Sequence, residues 1–356
     1  MVVLIAAALF AACAAPPVAT SPLPSARPPP TATPPSPTPT DVPVTSTPAS
    51  TPPPLVRFSS PVLRPEVQPH SYMDDPCEYL RLRWDPDRSP PGTVVVPIMF
   101  HSVREPDNMI QDAVTISTEY LASIVERARA LGFETVTAEE VAGFLEENRR
   151  IPPRSMIFIV DDRRPGTVEQ YFLPLAVAND WTVSLGWIVA DTRADLWAWM
   201  ERMNETGRLD IQSHGYWHKY ITPDMPERVV REEIVDPIPV LEEHFGKRPT
   251  AFVWPGGNFT ETSVKIAREA GYRLGFTAFS RGPLLFDWIP LGEEEAEIGD
   301  PVMVLPRYWS TAAWVNIEQA ARLAEEAEAF AAERFPQEAA WFRQVCGGDL
   351  PPPSGA

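Results

Sequence analysis

Met156-Ile-Phe-Ile-Val160 is an unbroken run of five apolar residues, three of them β-branched. A run this short and this continuous reads as a β-strand covered on both faces, which demands helices or loops above and below it. It stops abruptly at two adjacent carboxylates, Asp161 and Asp162, followed by Arg163-Arg164-Pro165-Gly166. Successive side chains of a strand point to opposite sides, so the two carboxylates are expected to aim differently. One can then bind a metal while the other stays free as a base. Taken alone, such a pair more often marks nothing beyond a polar turn, where Asp is common.

The surrounding chain repeats the pattern. From about residue 92, strand-like runs alternate with helix-like ones. Val94-Val-Val-Pro-Ile-Met-Phe100 reads as a strand whose proline places it near an end or edge. Residues 117–131 carry Leu121, Ile124, Val125, Ala128 and Leu131 at helical spacing, with Gly132 as the stop. Thr137-Ala-Glu-Glu140 fits a capping box. Further strands are predicted at 182–189, 209–213, 251–254, 274–278 and 302–305. Helices are predicted near 171–178, 195–203, 228–245 and 261–270. Alternation of this kind favours a parallel α/β sheet, open or closed into a barrel. Residues 316–345 form a last helix, with Ile317, Ala320, Ala321, Ala324 and Ala327 on one face, packed outside the body.

The polar residues of interest follow the strand-like runs. His101 follows the first, Asp161 and Asp162 the second, and His214 and His218 follow 209–212. Pro255-Gly256-Gly257 follows 252–254, and Arg307 follows 302–305. Active sites of parallel α/β folds lie at the carboxyl ends of the strands, so these residues are expected to converge. Two histidines four apart plus a carboxylate make a three-ligand site with open positions. A metal there activates water, a free carboxylate takes its proton, and a second titratable group protonates the leaving atom. That set describes hydrolysis of an amide or ester. His-x-x-x-His by itself is weak, and His70 and His244 lack comparable surroundings.

At these residues the chain resembles the polysaccharide deacetylases of carbohydrate esterase family 4, the NodB-homology fold, in the branch that opens on a "YHSV" motif. Val96-Pro-Ile-Met-Phe-His-Ser-Val103 is similar to the family's "PVLMYHSV", and Phe158-Ile-Val-Asp-Asp162 to "TFDD". Leu209-Asp-Ile-Gln-Ser-His-Gly-Tyr-Trp-His218 is similar to "EIGSHTxxH", and Phe252-Val-Trp-Pro-Gly-Gly257 to "FAYPYG". The resemblance runs over roughly 92–310. It implies an α/β fold, a distorted (β/α)7-type barrel of parallel strands with the C-terminal helix outside. It implies a divalent metal, most often zinc, on Asp162, His214 and His218, with Asp161 as general base and a backbone N–H near Gly256 holding the oxyanion. The family's late acidic histidine has no counterpart here, and His101 matches the position that supplies it early. Arg163 replaces a glycine after the Asp pair, and Val160 replaces an aromatic or similar residue before it. Trp254 stands near the place of the arginine that tunes the base. Arg307 is either its substitute or an ordinary surface ion pair. Of the tryptophans, Trp217 and Trp309 adjoin the expected site and are the candidates for stacking on sugar rings.

The flanks bear on location. Residues 1–13 read as a signal peptide whose Cys13, after Leu9-Phe-Ala-Ala12, resembles a lipoprotein lipobox. Phe10 stands where Leu is usual, and no Lys or Arg precedes the run. Export with a lipid anchor and export with an ordinary cleaved signal both remain open. Residues 14–54 read as a Pro/Thr/Ser-rich linker that cannot form a core, and 16 of the chain's 43 prolines fall in 16–54. Residues 55–91 flank a catalytic domain at 92–312, and 313–356 hold the last helix and tail. If Cys13 is lipidated, Cys77 and Cys346 remain, either bridged or as two thiols. The net charge of −18 argues against nucleic acid and anionic membrane surfaces as partners. The expected substrate is an acetylated polysaccharide or oligosaccharide outside the cell. Two other functions fit the same residues: a non-catalytic glycan-binding lipoprotein, and an esterase of O-acetylated glycans.

Overall fold

The strand predicted around Met156 lies in the interior of a parallel sheet. The computed structural model describes residues 54–105 and 112–353. Its main strands are β1 (Val94–Phe100), β2 (Arg154–Asp161), β3 (Val183–Trp187), β4 (Leu209–Ser213), β5 (Ala251–Val253), β6 (Leu274–Phe276) and β7 (Tyr308–Trp309). They are ordered β6-β5-β4-β3-β2-β1-β7, and every neighbouring pair is parallel. A short strand, Glu134–Thr135, pairs with the start of β2. Nearly consecutive order with helical crossovers curls such a sheet towards a barrel.

One segment bridges the sheet's two ends. Leu305 forms a parallel bridge to Phe276 of β6, and Tyr308 and Trp309 then pair with Ile98 and Met99 of β1. The structure is thus a distorted α/β barrel in which the last strand is split between two neighbours. This corrects the strand expected at 302–305. Pro301–Met303 is a 3-10 turn, begun by a proline whose fixed φ suits a first helical turn. Only Leu305 of that stretch pairs as a strand does.

The alternation of side chains along β1 and β2 divides the core. Val94, Val96, Ile98 and Phe100, with Met156, Phe158 and Val160, face the helices Thr118–Ala130 and Ala313–Val345. Val95, Ile157 and Ile159 join Phe252, Trp254, Phe276 and Leu305 on the other side. Asp161 continues the inward parity of Ile157 and Ile159. Pro97 belongs to a strand second from the sheet's end. Val94 N–H donates to Pro153 on the β2 side and Val95 N–H to Leu284 on the other. Alternation puts the missing donor of Pro97 on the side away from β2, between the Leu284 bridge and β7.

Local signals set the helix ends. Ser117 caps Thr118–Ala130, and Gly132 beyond it adopts a positive φ of 74°. Thr137 and Glu140 form the expected capping box of Ala138–Glu147. The acidic region at 228–245 is two helices, Glu227–Val235 and Pro237–Phe245, broken where Pro237 begins the second. The last helix starts at Ala313 and buries the predicted face of Ile317, Ala320, Ala321, Ala324 and Ala327.

The flanks before and after the barrel are fastened together. Gln68–His70 pairs antiparallel with Ile289–Leu291, and Asp287 accepts from the backbone N–H groups of Tyr72 and Met73 and pairs with Arg57. Cys77, on the helix Pro76–Trp84, is disulfide-bonded to Cys346 with Cα atoms 5.7 Å apart. The signal peptide, Cys13 and the linker up to residue 53 lie outside the described residues. Among the described residues, no helix is long and apolar enough to cross a membrane.

Candidate active site

Asp161 is the last residue of β2 and is buried, 2% exposed. Asp162 leaves the strand with φ of 70°, a left-handed conformation Asp tolerates better than most residues. That change of direction separates the two carboxylates. Asp161 points into the barrel, and Asp162 turns towards the loop that carries the histidines.

His214 follows β4, and its N–H donates to Trp187 O at the end of β3. Its Nδ1 lies 2.7 Å from Val253 O, at the end of β5, and donates to that carbonyl. This leaves the Nε2 lone pair free, the tautomer a metal ligand requires. His218 returns four residues later with φ of 65°, its Nε2 3.1 Å from that of His214. Asp162 Oδ1 lies 3.8 Å from His214 Nε2 and 3.7 Å from His218 Nε2. Ligand atoms about 2.0–2.1 Å from a tetrahedral zinc ion stand about 3.3 Å apart, so the donor set fits such an ion with small adjustment. Asp162, His214 and His218 form the metal-capable cluster found among the described residues.

Asp161 lies beside this cluster with a different set of partners. Its Oδ1 accepts from Arg307 Nη1 at 2.7 Å, and Arg307 Nε also donates to Thr277 O at 2.6 Å. Arg307 is 1% exposed, so the pair is no surface ion pair. Asp161 Oδ2 lies 3.9 Å from both His101 Nε2 and His214 Nε2. Burial alone would raise the Asp161 pKa, but Arg307, His214 and His101 together hold it below the usual carboxylate range. Asp161 is therefore ionised at neutral pH. Burial pushes His214 down to about 4 against the pull of Asp161. Burial likewise lowers His101, opposed by Asp161 and Asp162.

The remaining sequence candidates divide. Gly256 sits in the turn Pro255–Gly257 with φ of 62°, and a Cβ there would meet the Tyr220 ring at 2.9 Å. Trp217 is 43% exposed beside His218, its Nε1 donating to Glu232. Trp309 is half-buried and donates to Ala278 O. Trp181, Trp187, Trp254 and Trp288 are core residues. Arg163, which broke the expected pattern, turns away and donates to Ala190 O. Arg164 was not singled out in the sequence. It forms a two-pronged contact with Asp162 Oδ2, at 2.8 and 3.2 Å, and also donates to Ser102 Oγ. One oxygen of Asp162 is thereby pinned and the other left for the histidines.

Residues 150–275, which carry β2 to β6 and Asp161, Asp162, His214 and His218, match the family model described as polysaccharide deacetylase. This match, over about a third of the chain, makes it similar to polysaccharide deacetylases and supports an enzyme, a hydrolase of non-peptide carbon–nitrogen bonds. Solved structures with the same fold include a Streptococcus pyogenes deacetylase, PplD, in complex with acetate. It is 17% identical, with a TM-score of 0.52 over 64% of this chain and 97% of that one. A de-N-acetylase from Aggregatibacter actinomycetemcomitans is 16% identical, with a TM-score of 0.51 over 64% and 99%. IcaB from Ammonifex degensii is 19% identical, with a TM-score of 0.50 over 65% and 97%. At these identities the likeness shows the shared fold of the deacetylase domain. No curated protein sequence matches this chain.

Proposed function

We propose that the deacetylase domain removes acetyl groups from N-acetylated sugars of a cell-surface or extracellular polysaccharide, using a divalent metal, zinc first, held by Asp162, His214 and His218. The observation that carries this reading is the contrast between adjacent carboxylates. Asp162 faces two histidine Nε2 atoms, while Asp161 is buried against Arg307. When bound, such an ion polarises an acyl oxygen and makes a nearby water more acidic. Asp161 Oδ2, free of the Arg307 bond, accepts the proton of the attacking water. Arg307 keeps that carboxylate ionised and fixed in direction. His101, across from Asp161 Oδ2, protonates the leaving nitrogen; burial lowers its pKa overall, and Asp161 and Asp162 oppose that by favouring the charged imidazole this needs. The turn at Gly256 offers a backbone N–H to the developing oxyanion. Trp217 and Trp309 offer ring faces to the sugars.

The disulfide supports export, because such bonds persist in oxidising compartments. Anchoring through Cys13 completes this reading, with the domain facing outward. The test is acetate release from chitin oligomers and from acetylxylan by metal-loaded protein. Release from chitin oligomers, lost in Asp161→Asn with metal content and fold retained, is the expected result. Undiminished release in that variant overturns the mechanism, and release from acetylxylan alone overturns the amide assignment.

A further inference from the structure

Two metal-facing histidines sit at the ends of a loop with little regular structure. Gly215 has φ of 85° and His218 φ of 65°, so two of the loop's five residues adopt left-handed backbone. For a non-glycine residue such a conformation costs roughly 1–3 kcal/mol and persists only where surroundings enforce it. The enforcing group is Glu233, on the helix Glu227–Val235, whose residue is fully buried.

Glu233 Oε2 accepts from Trp217 N–H at 3.0 Å, and Oε1 accepts from Lys219 N–H at 2.9 Å. These two residues flank His218 on either side. The backbone carbonyl of Glu233 also accepts from Tyr216 N–H at 3.1 Å. One residue thus receives three backbone donors from a four-residue stretch. A Cβ on residue 215 would lie 2.2 Å from Glu233 Oε1, so this packing requires glycine there as well. Val253 O fixes His214 and Arg164 pins Asp162, while the side-chain bonds to the backbone around His218 come from Glu233.

We infer that Glu233 is a positioning residue for the metal centre, holding the loop backbone so that His218 presents Nε2 to the same point as His214 and Asp162. This rests on the reading that those three side chains hold a metal. A buried carboxylate accepting charge-assisted bonds from backbone N–H groups is a rigid fixture, suited to a role one step removed from the ligands.

The test is Zn2+ binding alone, measured by chelator competition on the metal-free full chain, for wild type, Glu233→Gln and Glu232→Gln. Glu233→Gln keeps the shape but turns an N–H2 group towards a backbone donor. Outer-shell losses of this kind weaken metal binding about 10–100-fold, which is the expected result. Glu232→Gln removes the same unit of charge from the same helix and should stay within about threefold of wild type. The visible band of the Co2+-loaded protein should change in Glu233→Gln and not in Glu232→Gln. Equal Zn2+ affinity in wild type and a folded Glu233→Gln overturns the inference, as does equal weakening in both variants. A wild type that binds no Zn2+ would overturn the metal reading beneath it instead. If thermal melts show Glu233→Gln unfolded, Glu233→Met, which fills the space without the mismatched donor, carries the same comparison.

Discussion

Arg307→Met removes a guanidinium that is 1% exposed and keeps most of its bulk. What it leaves behind decides the outcome. Asp161, 2% exposed, loses its charge partner at 2.7 Å, and Thr277 O loses a donor at 2.6 Å. Breaking a buried ion pair from one side costs about 3–5 kcal/mol, because the remaining charge is left uncompensated. The protein's escape is to protonate Asp161. In the wild type its folded pKa lies below the ordinary value, so its contribution to stability is present above that value and is lost as pH falls through the folded pKa. Without Arg307, burial dominates and the folded pKa rises above the unfolded one, reversing the sign. The variant should therefore lose most stability near pH 8 and less near pH 4.5. Urea denaturation of metal-free wild type, Arg307→Met, Asp161→Asn and the double variant at both pH values checks this. The double variant should be less destabilised than the sum of the singles by at least about 1 kcal/mol at pH 8. Additive single effects, or a cost for Arg307→Met below about 1 kcal/mol at both pH values, would refute the assignment of Arg307 as the buried partner of the base.

Two other outcomes follow from the same cluster. His101→Asn should lower acetate release about 10²–10⁴-fold while Zn2+ stoichiometry stays unchanged, since Asp162, His214 and His218 are untouched; release within tenfold of wild type would remove His101 as the acid. In metal-free protein, His214 is buried and His101 half-buried, both with lowered pKa values, so below about pH 6.5 the unfolded chain binds more protons and stability falls as pH drops towards 4. The melting temperature should decline over that window, and more steeply than in a His214→Gln variant.

What the sequence showed and what it hid have physical reasons. The strands Val94–Phe100 and Arg154–Asp161 were legible because a parallel strand covered on both faces is apolar throughout, and few other environments ask for that. The long helix was legible from the period of its alanines, since only one face touches the barrel. Arg307 was assigned to follow a strand at 302–305, but the segment divides its hydrogen bonds between β6 and β1, and no single-strand pattern encodes a divided strand. Arg164 and Glu233 act through contacts 62 and 14–16 residues away or around a turn, and their own neighbourhoods read as ordinary surface sequence. The pairing of Cys77 with Cys346 depended on a distance, which spacing in sequence does not give.

The long terminal helix also sets where the chain enters the body. It begins at Ala313, just past Trp309 on the catalytic side, and runs beside the barrel to the opposite end. There, Glu325 meets Arg154 at the start of β2, and Ala324 and Glu328 crowd Gly92 before β1. Pro54, Leu55 and Val56 line a groove with Gln337, Trp341 and Gln344, about two and a half to four and a half turns beyond that end. The entry point is thus about 35 Å along the helix from the rim of the site, at 1.5 Å per residue. The rim that carries Asp162, His214 and His218 is therefore at the far end of the barrel from Pro54.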